Sequence, residues 1–188
     1  LSGKKGLHFD IDEVVVDNLY FDINNVLGMP LDLRLGRQDF LGKYGEGFLI
    51  MEGTPYDGSR TFYFNALKAT WRMENERSID FAYLHSERED DTLPIINEKV
   101  PNQRLNARDE EGGFIYYTGK LNENTYLESY YIYKEEDDGG PALQAQSTKL
   151  NTLGCYIKHD FSPYTIRTQL AYQFGDYGDN DRDGLGAY

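Results

Sequence analysis

Hydrophobic and polar residues alternate along most of this chain with a period of two, and the spacing of amphipathic helices is nearly absent. In the segment 164–175, Ile166 and Leu170 fall on one side of an extended chain, whereas Arg167 and Gln169 fall on the other. This alternation predicts β-strands with one apolar and one polar face. The candidate strands are 8–16, 18–26, 31–40, 61–73, 77–87, 112–121, 125–134, 150–161 and 164–175.

Two kinds of connection separate these strands. Short turns are expected at 27–30, 74–76, 122–124 and 162–163, and long acidic loops at 88–111, 135–149 and 176–186. Alternation of tight turns with long loops is typical of up-and-down outer-membrane barrels. We therefore predict an all-β fold, an antiparallel up-and-down transmembrane β-barrel, with residues 1–188 in a single barrel domain. A change of phase near Ala66 and Leu67 further predicts a β-bulge.

Composition is compatible with a membrane barrel without requiring one. The chain has 16 Tyr and 10 Phe, yet its mean hydropathy is -0.66, and no apolar run is long enough for a transmembrane helix. Tyrosine near strand ends suits an interfacial aromatic girdle, although tyrosine also packs well on any half-buried sheet. The net charge of -13 argues against nucleic acid as a partner, because a phosphate-binding surface should be basic.

Several cations lie inside the candidate strands, while acids crowd the loops. In a membrane barrel such cations have to face the lumen, because a lipid-facing Arg or Lys at mid-depth costs roughly 2–4 kcal/mol. A lumen lined by guanidinium groups would favour an anionic solute. Alternatively, the cations pair with wall carboxylates such as Asp32 and Asp80, and both interpretations can hold together.

The segment 31–65 resembles the alginate-export family of outer-membrane β-barrel porins. The resemblance depends on Gly36-Arg37-Gln38, Tyr44-Gly45 and Tyr56-Asp57-Gly58, and on Ala171-Tyr172-Gln173-Phe174-Gly175 near the end of the chain. It implies a large antiparallel barrel in the bacterial outer membrane, which passes an anionic uronate polymer by diffusion through an arginine-rich lumen. Since that barrel has about twice as many strands, the resemblance also implies a contiguous part of a larger barrel, truncated at one or both ends.

The function expected from these observations is a passive channel for anionic or polar solutes, a saccharide or uronate polymer in the first place. Its partners would be the lipid bilayer, the solute, and periplasmic or outer-membrane assembly proteins. The resemblance implies that Arg37 and Gln38 face the lumen or brace its wall. The other candidate residues are supported only by the alternation of polar and apolar positions. The candidate solute-contacting residues are Arg34, Arg37, Gln38, Lys68, Arg72, Arg167 and Gln169.

Three other functions stay open at this point. One is a porin selective for small anions such as phosphate, and another is a soluble all-β carbohydrate-binding domain that uses tyrosines as stacking platforms. The third, a membrane-barrel enzyme, is disfavoured because the sequence has no Gly-x-Ser-x-Gly motif and no evident set of Ser, His and acid. We therefore predict that the protein is not an enzyme.

The only candidate cofactor is Ca²⁺. Asp179, Asp181 and Asp183, followed by Gly184, match the first half of a calcium-binding loop. The acid expected at the twelfth position would fall beyond Tyr188, and flanking helices are not evident. A solvated acidic loop explains the same residues more simply.

Overall fold

The computed structural model describes residues 13–40, 42–46, 49–50, 63–98, 108–137 and 146–188. These residues form one antiparallel sheet of nine strands, in which every strand pairs with the strand that follows it in the chain. The strands are β1 (Leu19–Ile23), β2 (Leu31–Gln38), β3 (Phe64–Met73), β4 (Arg77–Ser86), β5 (Glu110–Asn122), β6 (Thr125–Glu136), β7 (Thr148–Phe161), β8 (Tyr164–Tyr177) and β9 (Asn180–Ala187). The predicted all-β, antiparallel, up-and-down architecture is confirmed, and the sheet is open because β1 and β9 do not pair.

Helical structure within the described ranges is limited to a three-residue 3-10 turn, Val26–Gly28. No helix in this part of the chain has the length and apolar character needed to cross a membrane.

The pairing register keeps side chains of the same kind on the same face across several strands. Asp80 of β4 lies opposite Tyr116 of β5, which lies opposite Tyr130 of β6. We call the face that contains these three residues the inner face and the opposite one the outer face. A shift of one residue in any pairing would exchange the faces of that strand, so the alternation in the sequence sets the register.

The outer face is apolar and exposed. Phe81, Ile115, Tyr131, Leu153 and Tyr172 are successive partners across β4 to β8. Each keeps more than a third of its surface exposed, from 38% for Tyr131 to 49% for Leu153. Nothing in the described part of the chain covers this row.

The inner face is covered by the connection between β2 and β3. Its described residues 39–40, 42–46 and 49–50, which we call the inward segment, place Phe40 and Tyr44 against the sheet. The ring centroids of Phe40 and Phe114 are 5.6 Å apart, and those of Tyr44 and Tyr116 are 4.6 Å apart. Tyr116 also stacks on Tyr130 at 5.2 Å. Such aromatic pairs add roughly 0.5–1.5 kcal/mol each beyond the burial of their surface.

Most predicted strands are confirmed in position, but two local predictions are wrong. The β2–β3 and β3–β4 registers run without interruption past Ala66 and Leu67, so β3 has no bulge there. A register shift occurs instead between Lys120 and Asn122 of β5. Most of the candidate strand 8–16 lies outside the described residues, and within it Val14 forms an isolated bridge.

The predicted loop 176–186 is also wrong, because it contains the end of β8 and most of β9. Its Asn, Asp and Gly residues have low strand propensity, which suggested a loop. After a tight turn at Gly178, which has a φ of +60°, the chain pairs back on β8 from Tyr177↔Asn180 to Leu170↔Ala187. The backbone hydrogen bonds of a long neighbouring strand therefore override the local preference.

Candidate functional site on the inner face

The predicted inner-face cations lie in the sheet as expected, and each is paired with a carboxylate. Arg34 of β2 binds Asp22 through two hydrogen bonds of 2.7 and 2.8 Å. This bidentate geometry fixes the guanidinium plane, which also lies 3.8 Å from the centre of the Tyr20 ring. The other nitrogen–oxygen pairs are Lys68–Asp80 at 3.4 Å, Arg72–Asp32 at 3.2 Å and Arg167–Glu46 at 3.7 Å.

The pairing of cations with Asp32 and Asp80 is thus confirmed. Its consequence is electrostatic, because a paired cation attracts a passing anion much less than an isolated one does. The wall of the inner face carries many charges but little excess of either sign along β1 to β4.

Arg37 does not face the inner side of the sheet. The register puts Arg37 on the outer side of β2, opposite Asn65, and only 1% of its side chain is exposed. Its guanidinium binds Asp90 at 2.6 Å and lies 4.1 Å from the centre of the Tyr63 ring. In this arrangement Arg37 anchors the β4–β5 connection rather than contacting a solute.

The Asp90 carboxylate accepts hydrogen bonds from other groups besides Arg37. Asn65 donates to it at 2.9 Å, and the backbone N–H of Thr92 donates at 3.0 Å. Burial alone raises the pKa of Asp90, but these hydrogen bonds and the charge of Arg37 outweigh it, and the net pKa lies below its ordinary value of 3.8. The Arg37–Asp90 pair is therefore ionised and held at the end of the sheet where the long connections lie.

The two glutamines predicted to contact a solute are almost buried. Gln38 is 1% exposed, and its amide donates to the carbonyl of Ala66 at 3.2 Å. Gln169 on the inner face of β8 is 8% exposed and donates to the hydroxyl of Tyr130 at 2.8 Å. Both side chains bind other parts of the protein in the described arrangement.

Acidic residues of the inner face hold the tip of the inward segment. The hydroxyl of Tyr44 donates to Asp80 at 2.6 Å, and the backbone N–H of Gly45 donates to Glu128 at 3.2 Å. Glu46 accepts a short hydrogen bond from the hydroxyl of Tyr156. Three consecutive residues of the segment are therefore fixed to three different strands.

Burial and the negative charge of Asp80 raise the pKa of Tyr44 far above its usual range, so its hydroxyl remains a proton donor at all ordinary pH values. Gly45 has a φ of +54°, and a Cβ atom there would lie 2.8 Å from the Cβ of Leu49. Glycine is therefore required at this tight turn. The Tyr44-Gly45 pair was visible in the sequence as a motif, but its acidic partners were not, because they lie 36 and 83 residues away.

A cavity of about 500 Å³ lies between the inward segment and the short-turn ends of β5, β6 and β7. Its walls include Tyr126 and Tyr156, whose ring centroids are 6.4 Å apart in an edge-to-face arrangement. The charged residues of its lining are Lys43, Lys120, Lys158, Glu46, Glu123, Glu128 and Asp160. None of these residues is among those predicted from the sequence to contact a solute.

The proposed calcium ligands do not share a loop. Asp179 lies in the β8–β9 turn, whereas Asp181 and Asp183 belong to the extended strand β9, opposite Asp176 and Phe174. An extended strand does not wrap around a cation as a calcium loop does. Within the described ranges, no three His, Cys, Asp or Glu side chains are grouped as a metal site would need.

Tyrosine hydroxyls on the outer face bind polar groups toward the long connections. Tyr83 donates to Glu111 at 2.9 Å, and Tyr133 donates to Glu135 at 2.8 Å. Tyr131 donates to Asn151 at 2.6 Å. Each ring thus lies over the apolar face while its hydroxyl reaches a polar group, an arrangement that suits the boundary between an apolar phase and water.

Comparison of the chain with protein-family models, with curated proteins and with solved structures found no match. The resemblance to alginate-export barrels therefore stays a prediction from the motifs that carry it. The feature of the described residues that bears most directly on function is the contrast between an exposed apolar face and a polar, hydrogen-bonded one.

Proposed function

We propose that this chain forms part of the wall of an outer-membrane β-barrel that acts as a passive channel for polar solutes of saccharide size. The observation that carries this proposal is the outer face, where large apolar side chains are exposed in a continuous row across the strands. An exposed apolar surface of this extent needs either lipid or a large partner to cover it.

The height of the band of apolar side chains on the outer face favours lipid, and not a partner protein, as the cover of that face. On β8 the outer-facing apolar residues extend from Tyr164 to Phe174. About ten residues at ~3.3 Å each, inclined by roughly 45°, span about 23 Å, close to the height of about 25 Å that the apolar band of an outer-membrane barrel has.

The placement of charge supports the same proposal. Most charged side chains on the outer face lie near strand ends, outside the band, and His159 (opposite Ile166) and Asp183 (opposite Phe174) lie toward its two edges. Among the described strands these residues are Arg37, Arg77, His85, Glu111, Glu135, Lys149, His159, Asp176, Asp181 and Asp183. A membrane excludes charge from its centre far more strongly than from its interfaces, so this distribution is the one that lipid requires.

The inner face would line the water-filled passage. Its paired charges, amides and hydroxyls keep the wall wet without binding a solute tightly, as a passive channel needs. Such transport involves no covalent chemistry, so we propose no enzymatic activity. The open edges of β1 and β9 would have to meet further strands, because unpaired backbone groups are not tolerated in lipid.

The uronate polymer implied by the family resemblance remains a candidate solute. The pairing of Arg34, Lys68 and Arg72 with carboxylates disfavours the small-anion porin, which would need a narrow ring of cations without such partners.

One observation favours the soluble carbohydrate-binding domain. The aromatic cluster of Phe40, Tyr44, Phe114, Tyr116 and Tyr130 forms a buried core on the inner face, as a soluble domain would need. That hypothesis leaves the outer face unexplained, because it would expose the apolar row to water.

The test is single-channel conductance of the full-length protein in a planar bilayer, together with its solubility with and without detergent. We expect a steady conductance and a requirement for detergent. Protein that stays folded and monomeric without detergent, and that gives no conductance, would reject the barrel and favour the soluble domain.

A further inference from the structure

The cavity below the inward segment has the size and composition of a ligand site. Its volume of about 500 Å³ lies within the range of sites for small molecules. Residues of the inward segment form one side, and the short-turn ends of β5, β6 and β7 form the other. A solute that moves along the inner face toward these turns would have to pass it.

Tyr126 offers a fixed aromatic surface in this cavity. The edge of one ring packs against the other in the Tyr126–Tyr156 pair. Because this contact restricts the rotation of Tyr126, a ligand that stacks on its ring costs little further side-chain entropy. The C–H groups of a pyranose ring carry partial positive charge and pack favourably on the negative face of an aromatic ring.

The charge of the lining does not favour a polyanion. Three lysines face four carboxylates there, and the lysines already have partners. Lys43 donates to the carbonyl of Asp39 at 2.7 Å, and Lys158 lies 3.6 Å from Asp160. Lys120 is paired with Glu76 at the neighbouring turn.

We propose that this cavity is a saccharide-binding subsite that prefers neutral or amino-bearing sugars to uronates. Tyr126 supplies the stacking surface, and the carboxylates and the amides of Asn122 and Asn124 supply acceptors and donors for ring hydroxyls. The net negative wall would repel the carboxylate of a uronate and attract the ammonium group of an amino sugar. This proposal rests on the proposed channel and identifies the solute class for which that channel is selective.

The experiment measures binding and blocking separately on the full-length protein. Calorimetry in detergent gives dissociation constants for a maltooligosaccharide, a glucosamine oligomer and a mannuronate oligomer of equal length. Current recording in bilayers then gives the block produced by the same three probes. We expect the uronate to bind at least about threefold more weakly than the neutral probe at low salt, with the difference shrinking as salt is added.

Two pairs of variants test the roles of the ring and of the charge. Tyr126→Leu should weaken binding of all three probes about tenfold, whereas Tyr131→Leu, on the outer face of the same strand, should not. Glu123→Lys should strengthen uronate binding by about threefold or more. Glu74→Lys makes the same charge change at the neighbouring β3–β4 turn, outside the cavity lining, and should have little effect.

The outcomes separate the two proposals. Conductance with equal affinity for all three probes, or with tighter uronate binding in the unaltered protein, would overturn the subsite while leaving the channel intact. Sugar binding that is lost in Tyr126→Leu but unaccompanied by any conductance would support the subsite and reject the channel. An unchanged affinity in Tyr126→Leu would overturn the role of this cavity.

Discussion

Neighbouring residues of the same strands have opposite surroundings on the two faces of the sheet. On the outer face Phe81, Ile115 and Tyr131 are more than a third exposed, whereas on the inner face Tyr116 and Tyr130 are buried. In a water-soluble antiparallel sheet the apolar face is usually the covered one. Here the covered face is the more polar one, and the inward segment is held on it by aromatic packing together with hydrogen bonds between tyrosines and carboxylates. Alternation therefore distinguishes two faces but does not determine which of them is covered.

The Arg37–Asp90 pair is an exception to this contrast, because it is a buried charge pair on the outer side of the sheet. Asp90→Asn leaves the guanidinium without its charged partner, so we expect a loss of about 3 kcal/mol in the free energy of unfolding at neutral pH. The matched control is Asp22→Asn, which breaks the exposed Arg34–Asp22 pair and should cost clearly less. Urea unfolding of the protein in detergent measures both.

The contribution of the Arg37–Asp90 pair to stability should depend on pH. Because the pKa of Asp90 is lower in the folded protein, its contribution to stability is fully present above the pKa of the unfolded chain, whose ordinary value is 3.8. The contribution is lost as the pH falls through the lowered value. The difference in the free energy of unfolding between the original protein and Asp90→Asn should therefore shrink as the pH falls from neutral to below 3.8. A difference that is constant over this range would contradict the ionic account.

A charge placed on the outer face would test directly whether lipid covers it. Ile115→Lys should destabilise the protein in bilayers by about 2–4 kcal/mol if the residue faces the centre of the membrane. Thr118→Lys introduces the same side chain on the inner face of the same strand and should cost less. If the outer face is exposed to water instead, Ile115→Lys should be nearly neutral, and folding in lipid vesicles will distinguish the two cases.

The strands and their faces were predictable because each depends on local alternation. The segment 77–87 is an example, since Ile79 and Phe81 separate from Ser78 and Asp80 simply by parity, and the register of β4 preserves that separation. The ion pairs between neighbouring strands of the inner face were predictable for the same reason, because side chains at opposed or diagonal positions on one face are neighbours. The Arg167–Glu46 pair was not, because Glu46 lies in the inward segment.

The features that could not be predicted depend on contacts between residues distant in sequence. β9 has few residues that favour strands and forms because β8 offers it a backbone to pair with. Arg37 follows the alternation, but its burial depends on Asp90, which lies 53 residues away. The inward segment lacks any periodicity that would indicate which face it covers, and its anchors come from strands that follow much later in the chain.

The smallest change in stability is expected from a variant that weakens the anchoring of the inward segment. Tyr44→Phe removes the hydroxyl that donates to Asp80 but keeps the ring against Tyr116, so we expect a loss of about 1 kcal/mol in the free energy of unfolding. Tyr131→Phe removes a hydroxyl from the exposed face and should cost less, because water can replace the bond to Asn151. If the segment narrows a channel, Tyr44→Phe should also increase current noise in bilayer recordings, and Tyr131→Phe should not. A quiet trace from both variants, with the expected loss of stability for Tyr44→Phe, would assign the segment to the core of the protein and not to the passage.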